Sequence, residues 1–371
     1  MTLRWAPHAL VVVLVLGMLG CLRDPGVVAW EAQLVDADRA LRRGDAHEAL
    51  EAYGALRETA PHARGRTDTE QGRADALLAL GRTEDAVRAY LAASRATADR
   101  EARARLVFRA ARVVYDQPAT QGEGLDAITR VVDRFPDTIA GLRALQYLQQ
   151  HFGGTPEGRD WLLGFYRSRF DALRRTPLAD NLLFEGARIH LARGTEADDR
   201  AALALLTDLT TVYPREALWD DALWLRADVQ HRLALYEEEL DSLTTLVRTR
   251  EKPLFFGNYE TLYYHRSQYR IALLLRDTLG DLPGAISAFE VFVREYPFSK
   301  MYDDALFQLA ELYVRAGRGA DAAALAERLA RERPESRWVQ RAKELARTGV
   351  DPGPAPPWTD PTVPWTYGGG P

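Results

Sequence analysis

The stretches YPREALWDDALWLRADV (Tyr213–Val229) and YPFSKMYDDALFQLAEL (Tyr296–Leu312) are near copies placed 83 residues apart. In each, an aromatic-Pro pair is followed by Asp-Asp-Ala-Leu and then by apolar residues at the three- and four-residue spacing of one helix face. A more distant copy, FPDTIAGLRALQYL, starts at Phe135. Self-similarity at a fixed period is the signature of a repeat array, in which each unit buries its apolar face against its neighbours.

Prolines recur at 61, 136, 177, 214, 253, 297 and 334, with gaps of 37 to 44 residues after a first gap of 75 that is two repeats. Proline lacks the N–H a helix needs and clashes with the preceding turn, so each marks the end of a helix. Within a period, a turn is marked by Gly44, Gly81, Gly194, Gly280 or Gly317. Five residues after most of these stands a small residue, Ala49, Ala86, Ala285 or Ala322, with Asp199 the exception. Four further on comes a space-filling Tyr53, Tyr90 or Phe289, with Ala326 in the last case. The period is therefore a pair of helices. Where they cross closely no side chain can intrude, which places Ala37, Ala74, Ala187, Ala227 and Ala310 of first helices against the alanines of second ones.

This pattern resembles the tetratricopeptide repeat over roughly residues 29 to 346. The resemblance implies an all-α, right-handed superhelical solenoid of about eight to nine hairpins, with first helices lining a concave binding face. Residues 101 to 127 and 151 to 176 fit the pattern loosely. HFGGTPEGRD at His151 reads as a Gly-rich turn: no Lys-Ser/Thr follows Gly153 and Gly154, so a turn is expected there rather than a phosphate loop. The run Tyr236-Glu237-Glu238-Glu239-Leu240-Asp241 is expected to open a helix, where acid suits the dipole, as a solvated face.

Composition agrees with helices, since Ala, Leu, Arg and Glu are strong helix formers. A single core stops growing near about 250 to 300 residues, so 371 residues require several domains or an array. The net charge is −5, with Arg spread among Asp and Glu and Lys at 252, 300 and 343 only. No basic stripe suited to a phosphate backbone appears, so no nucleic-acid partner is expected.

The chain begins with Arg4 and no acid, runs through the apolar Ala9–Gly20, and reaches Cys21, its single cysteine. Twelve apolar residues fall short of the about 20 needed to span a bilayer, and the layout is that of a secretory signal. Gly17-Met18-Leu19-Gly20-Cys21 resembles a bacterial lipobox. The resemblance implies cleavage of residues 1 to 20, acylation (palmitate among the chains) of Cys21, and a short tether over 21 to 28. Leu22 rather than Asp after the cysteine implies sorting to the outer membrane, periplasmic face. Residues 347 to 371, with seven prolines from Pro352 on and Pro-Trp-Thr at Trp358 and again at Trp365, read as a disordered tail.

For chemistry, the seven histidines are scattered without metal-ligand spacing, and no GxSxG, GxGxxG or Walker loop occurs. No catalytic residue, metal or cofactor is expected. RPESRW (Arg333–Trp338) resembles the Glu-Ser signature of soluble lytic transglycosylases, which implies, as the alternative, a peptidoglycan-acting enzyme with Glu335 as general acid; otherwise Pro334 marks a repeat boundary. The segment Tyr296–Gly317 resembles two envelope families, the BamD type and the C-terminal repeats of the CpoB type. These imply a non-enzymatic scaffold that binds a protein or peptide partner in envelope assembly or maintenance.

In tetratricopeptide relatives the fifth position of the first helix faces the concave side. The resemblance puts Phe184, Trp224, Tyr269 and Phe307 there, Tyr269 after a one-residue gap in the alignment. On the same helical face stand Asp221, Asp228, Asp304 and Glu311. An aromatic stripe with acidic edges suits an extended peptide bearing apolar and basic side chains. The other reading is that these rings pack between neighbouring hairpins.

Overall fold

The computed structural model describes residues 24–249 and 263–350, which form seventeen α-helices and, among the described residues, no strand. The leader, Cys21, Pro253, Trp358 and Trp365 lie outside the described residues. Packing divides the chain into two compact units, Met1–Leu182 and Leu183–Pro371. The first holds α1 (Pro25–Arg43), α2 (Ala46–Glu58), α3 (Ala63–Ala79), α4 (Thr83–Ala96), α5 (Arg100–Tyr115), α6 (Gln121–Arg134), α7 (Ile139–Phe152), α8 (Pro156–Leu173) and the start of α9 (Ala179–Leu191). The second continues through α10 (Glu196–Val212), α11 (Trp219–Arg232), α12 (Tyr236–Arg248), α13 (Tyr263–Leu273), α14 (Leu282–Glu295), α15 (Tyr302–Arg315), α16 (Gly319–Glu332) and α17 (Val339–Thr348). Taken two at a time along the chain, these are eight hairpins and a closing helix. Within each unit, helices pack chiefly on the next one or two in sequence, which is the contact pattern of a helical solenoid. No helix among the described residues is long and apolar enough to cross a membrane.

The helix ends follow from local chemistry. Asp24 accepts the Gly26 N–H at 2.7 Å and Pro25 stands at the first helical position, so α1 starts ahead of residue 29, inside the expected tether. Thr155 caps α8 in the same way, accepting from the Gly158 N–H at 3.1 Å, with Gly153 and Gly154 as the turn before it. Each described boundary proline falls two to four residues beyond a helix end. All five turn glycines adopt positive φ, from 68° to 91°, where a Cβ would meet the backbone. The α11–α12 turn, unmarked by glycine, uses Ala234 at φ 56° instead. Eleven residues separate Tyr269 from Gly280 where ten separate Phe307 from Gly317. The extra residue is absorbed by a π-helical turn over Leu274–Thr278, the structural form of the alignment gap.

Packing within hairpins rests on small residues. Ala49, Ala74, Ala86, Ala187, Ala227, Ala285 and Ala322 are fully buried, and Ala37 and Ala310 nearly so. In the loosely fitting α5–α6 pair Gly124 takes this role, since a Cβ there would stand 2.2 Å from the Tyr115 backbone nitrogen. The space-filling tyrosines add a tie: Tyr53 donates to Asp38 at 2.6 Å, and Tyr90 to Asp75, each reaching from a second helix to its own first helix.

Two stability outcomes follow. Replacing Ala310 by Leu should cost about 1–3 kcal/mol by overpacking, and Ala86→Leu the same, read by urea denaturation. Ala234→Gly should gain roughly 0.5–1 kcal/mol, because it relieves a left-handed alanine at a smaller entropic cost.

Candidate partner-binding face

The near-copy motifs open α11 and α15, and α13 lies between them in sequence. On α11, Trp224 stacks on Tyr263 of α13 with centroids 5.4 Å apart and planes 27° from parallel. Both rings are half-buried. The Arg270 guanidinium sits 5.3 Å from the Trp224 ring centre, in cation–π range. Asp221, three residues before Trp224, accepts the Tyr263 hydroxyl at 2.9 Å, and Asp220 accepts that of Tyr264 at 3.0 Å. Burial first, then the hydrogen bond to Asp221 and its charge, push the Tyr263 phenol up to about 12. Asp228, four residues after Trp224, pairs with Arg270 and keeps 44% of its side chain exposed. The result is an aromatic ledge with carboxylates on both edges.

The same helix position is enclosed at the next two seams. Tyr269 is 3% exposed and wedged edge-on against Phe289 and Phe292, each 5.4 Å away, while its hydroxyl donates to Asp304 of α15. Burial pushes the Tyr269 phenol well up, and it pushes the Asp304 carboxyl up against the pull of that hydrogen bond. Phe307, 2% exposed, stacks under Trp338 at 4.5 Å and 16°, with Arg341 5.8 Å from its ring centre. Glu311 is half-buried on α15; against burial, which pulls the Arg276 guanidinium down, the Asp277 hydrogen bond and charge push it up, and the Glu311 charge adds to them. Phe184, on α9, is half-buried. Of the four rings, Tyr269 and Phe307 are core, and Trp224 and Phe184 keep accessible surface.

What holds the ledge was not visible in the sequence. Glu239, read as part of a solvated acidic run, is fully buried. It accepts Arg270 Nε at 2.7 Å and Nη2 at 2.6 Å, and its other oxygen lies 2.8 Å from His231 Nδ1. Arg270 Nη2 also donates to the Ala227 carbonyl at 3.1 Å. A cation buried beneath a partly exposed indole is thus fixed from α11 and α12 together. Its partners lie 31 to 43 residues from it, with no local signal to join them. RPESRW falls between α16 and α17: Glu335 is exposed in that turn, Ser336 donates to Asp303 at 2.5 Å, and Trp338 goes inward.

Three variants separate core from surface along this face. Phe307→Ala should cost about 3–5 kcal/mol, whereas Trp224→Ala should cost less than Phe307→Ala because part of the Trp224 side chain is already in water. Glu239→Gln should cost up to about 3–5 kcal/mol, because it removes the one buried carboxylate on Arg270 and leaves only the partly exposed Asp228, with chemical denaturation as the measure for all three. Because the Tyr263 phenol is raised by folding, its contribution is complete below pH 10 and lost as pH rises toward 12. Tyr263→Phe should accordingly remove one late-ionising phenol from the alkaline absorbance titration.

No curated protein matches the chain. Among solved structures it is similar to the C-terminal part of a TPR repeat-containing protein from Cytophaga hutchinsonii, at 11% identity over 83% of this chain and 98% of that one, with a TM-score of 0.36. It is also similar to a signal transduction ATPase with a tetratricopeptide repeat sensor from Pyrococcus horikoshii, at 12% identity over 86% of this chain and 48% of that one, with a TM-score of 0.39. Residues 266–299 and 304–336, the hairpins α13–α14 and α15–α16, match the tetratricopeptide repeat, so the chain carries repeats of this family.

Proposed function

We propose that the chain is a lipid-anchored scaffold at the periplasmic face of the outer membrane, holding a protein partner during envelope assembly or maintenance. Tetratricopeptide repeats suit protein–protein interaction, and the observation that carries the reading is the Trp224–Tyr263 ledge. A large ring kept partly in water, buttressed by a buried Arg270 and edged by Asp221 and Asp228, is a ready anchor for a partner. Aromatic anchors of this kind carry much of an interface's binding energy. The carboxylate edges favour a partner segment with apolar and basic side chains. The resemblance of Gly17–Cys21 to a lipobox supports the anchor, since multiple acyl chains attach stably where one does not.

The chain from Leu22 onward, used as bait in envelope extract, should capture a partner that Trp224→Ala fails to capture while keeping its far-UV circular dichroism. Identical capture by the two baits would remove the ledge from the reading. For the anchor, labelled palmitate should enter the wild type and not Cys21→Ala, and equal incorporation would remove the lipoprotein assignment. Incubation with peptidoglycan should release no muropeptides.

A further inference from the structure

The first unit carries a different surface on its first helices. Arg105, Arg109 and Arg112 recur on α5 at spacings of four and three residues, which puts them on one face. Toward α3 their charges are matched. Arg105 donates to Gln71 at 2.9 Å and lies 3.6 Å from Asp68, and Arg109 pairs with Asp75, which also accepts the Tyr90 hydroxyl.

Toward α7 the match fails. Arg112 and Arg143 line one cavity of about 360 Å³, and among the described residues neither has a carboxylate at ion-pair distance. The two acids on its wall are engaged elsewhere. Glu101 accepts the N–H groups of Ile139 and Ala140 at 2.8 and 3.1 Å, capping α7, and Asp116 lies 3.4 Å from the Tyr147 hydroxyl. Arg112 is held in place without a counter-charge, its guanidinium 5.0 Å from the Tyr147 ring centre. Arg105, Arg109 and Tyr90 also line the cavity, and Leu78, Phe108, Val113 and Ala140 give its wall an apolar part.

We propose that this cavity takes an acidic segment of a partner polypeptide: one Asp or Glu side chain between the Arg112 and Arg143 guanidiniums, and a neighbouring apolar side chain against Phe108 and Val113. Guanidinium groups bind carboxylates through paired, charge-assisted hydrogen bonds, and two arginines on the wall of one cavity favour an anionic group there. A volume at the small end of ligand pockets suits a few side chains. A nucleic-acid strand fits poorly, because Asp68, Asp75, Glu101 and Asp116 surround the arginines and would repel successive phosphates. This site shares no residue with the Trp224 ledge, and its test depends neither on that ledge nor on membrane attachment.

The test is fluorescence anisotropy on the full chain in detergent, with a labelled peptide of sequence Gly-Ser-Leu-Glu-Leu-Glu-Ser-Gly, a version with Gln for Glu and one with Lys for Glu. The acidic peptide should bind at least tenfold more tightly than either, with an affinity that falls as salt rises. Arg112→Gln combined with Arg143→Gln should weaken that binding tenfold or more. Both side chains are exposed, so helix content should not change; should the double variant lose helix, Arg143→Gln alone gives the same reading. Equal binding by variant and wild type, or by acidic and Lys peptides, would overturn the proposal. So would tighter binding of a single-stranded RNA oligonucleotide that displaces the acidic peptide.

Discussion

Where the two helices of a hairpin cross there is room for a methyl group and little more. The completely buried Ala74, Ala86, Ala227, Ala285 and Ala322 mark that crossing in hairpin after hairpin, and Gly124 marks it where even a Cβ would strike the Tyr115 backbone. Other features follow from this closeness. Helices that approach so nearly need a tight turn between them, which the positive-φ glycines supply, and a large residue one helical turn on to close the remaining gap, which Tyr53, Tyr90 and Phe289 supply. Because the constraint is met inside each hairpin, the array can lengthen without a common core, and contacts remain between near neighbours in sequence.

These local demands explain why the fold was legible. Small residues, turn glycines and terminal prolines each answer a constraint set within about 40 residues, so their spacing survives in the sequence even where the rest diverges. Departures were legible only in part. The missing glycine of the α11–α12 turn gave no sign that Ala234 would take its left-handed conformation, since nothing in an Ala-Leu dipeptide specifies it. The one-residue gap before Gly280 was visible as a gap, but its resolution as a π-turn at the end of α13, rather than a longer loop, depends on both flanking helices being held in register by their neighbours.

The candidate site was less legible, and Trp224 and Phe307 show why. They occupy the same place in near-identical motifs, yet Phe307 is closed over by Trp338 while Trp224 meets Tyr263 and keeps an open edge. The difference lies in the following first helix, not in the motif. Position within a repeat therefore fixes which way a ring points, and the next repeat decides whether it becomes core or surface. Glu239 teaches the same point for charge. Beside Glu237 and Glu238 it reads as one more solvated acid, but helix periodicity turns it inward, and Arg270 from the next hairpin makes its burial tolerable.

A repeat array offers its own internal comparison. Along the first helices, most polar and aromatic groups at the seams find a partner from the adjacent repeat: Arg105 with Gln71, Arg109 with Asp75, Tyr269 with Asp304, Phe307 with Trp338. Surface arginines and half-exposed rings are unremarkable in an ordinary domain, where no equivalent position shows what a satisfied one looks like. Here the equivalent positions are present in the same chain. A guanidinium at Arg112 or Arg143 without a carboxylate at ion-pair distance, and an indole at Trp224 left partly open above a buried cation, differ from their counterparts in the one respect that matters for binding: part of their interaction capacity is unspent. An enclosed seam group such as Phe307 is needed by the fold, whereas a change at an exposed one such as Arg112 costs the alanine crossings nothing, which leaves the exposed seam positions free to specify a partner.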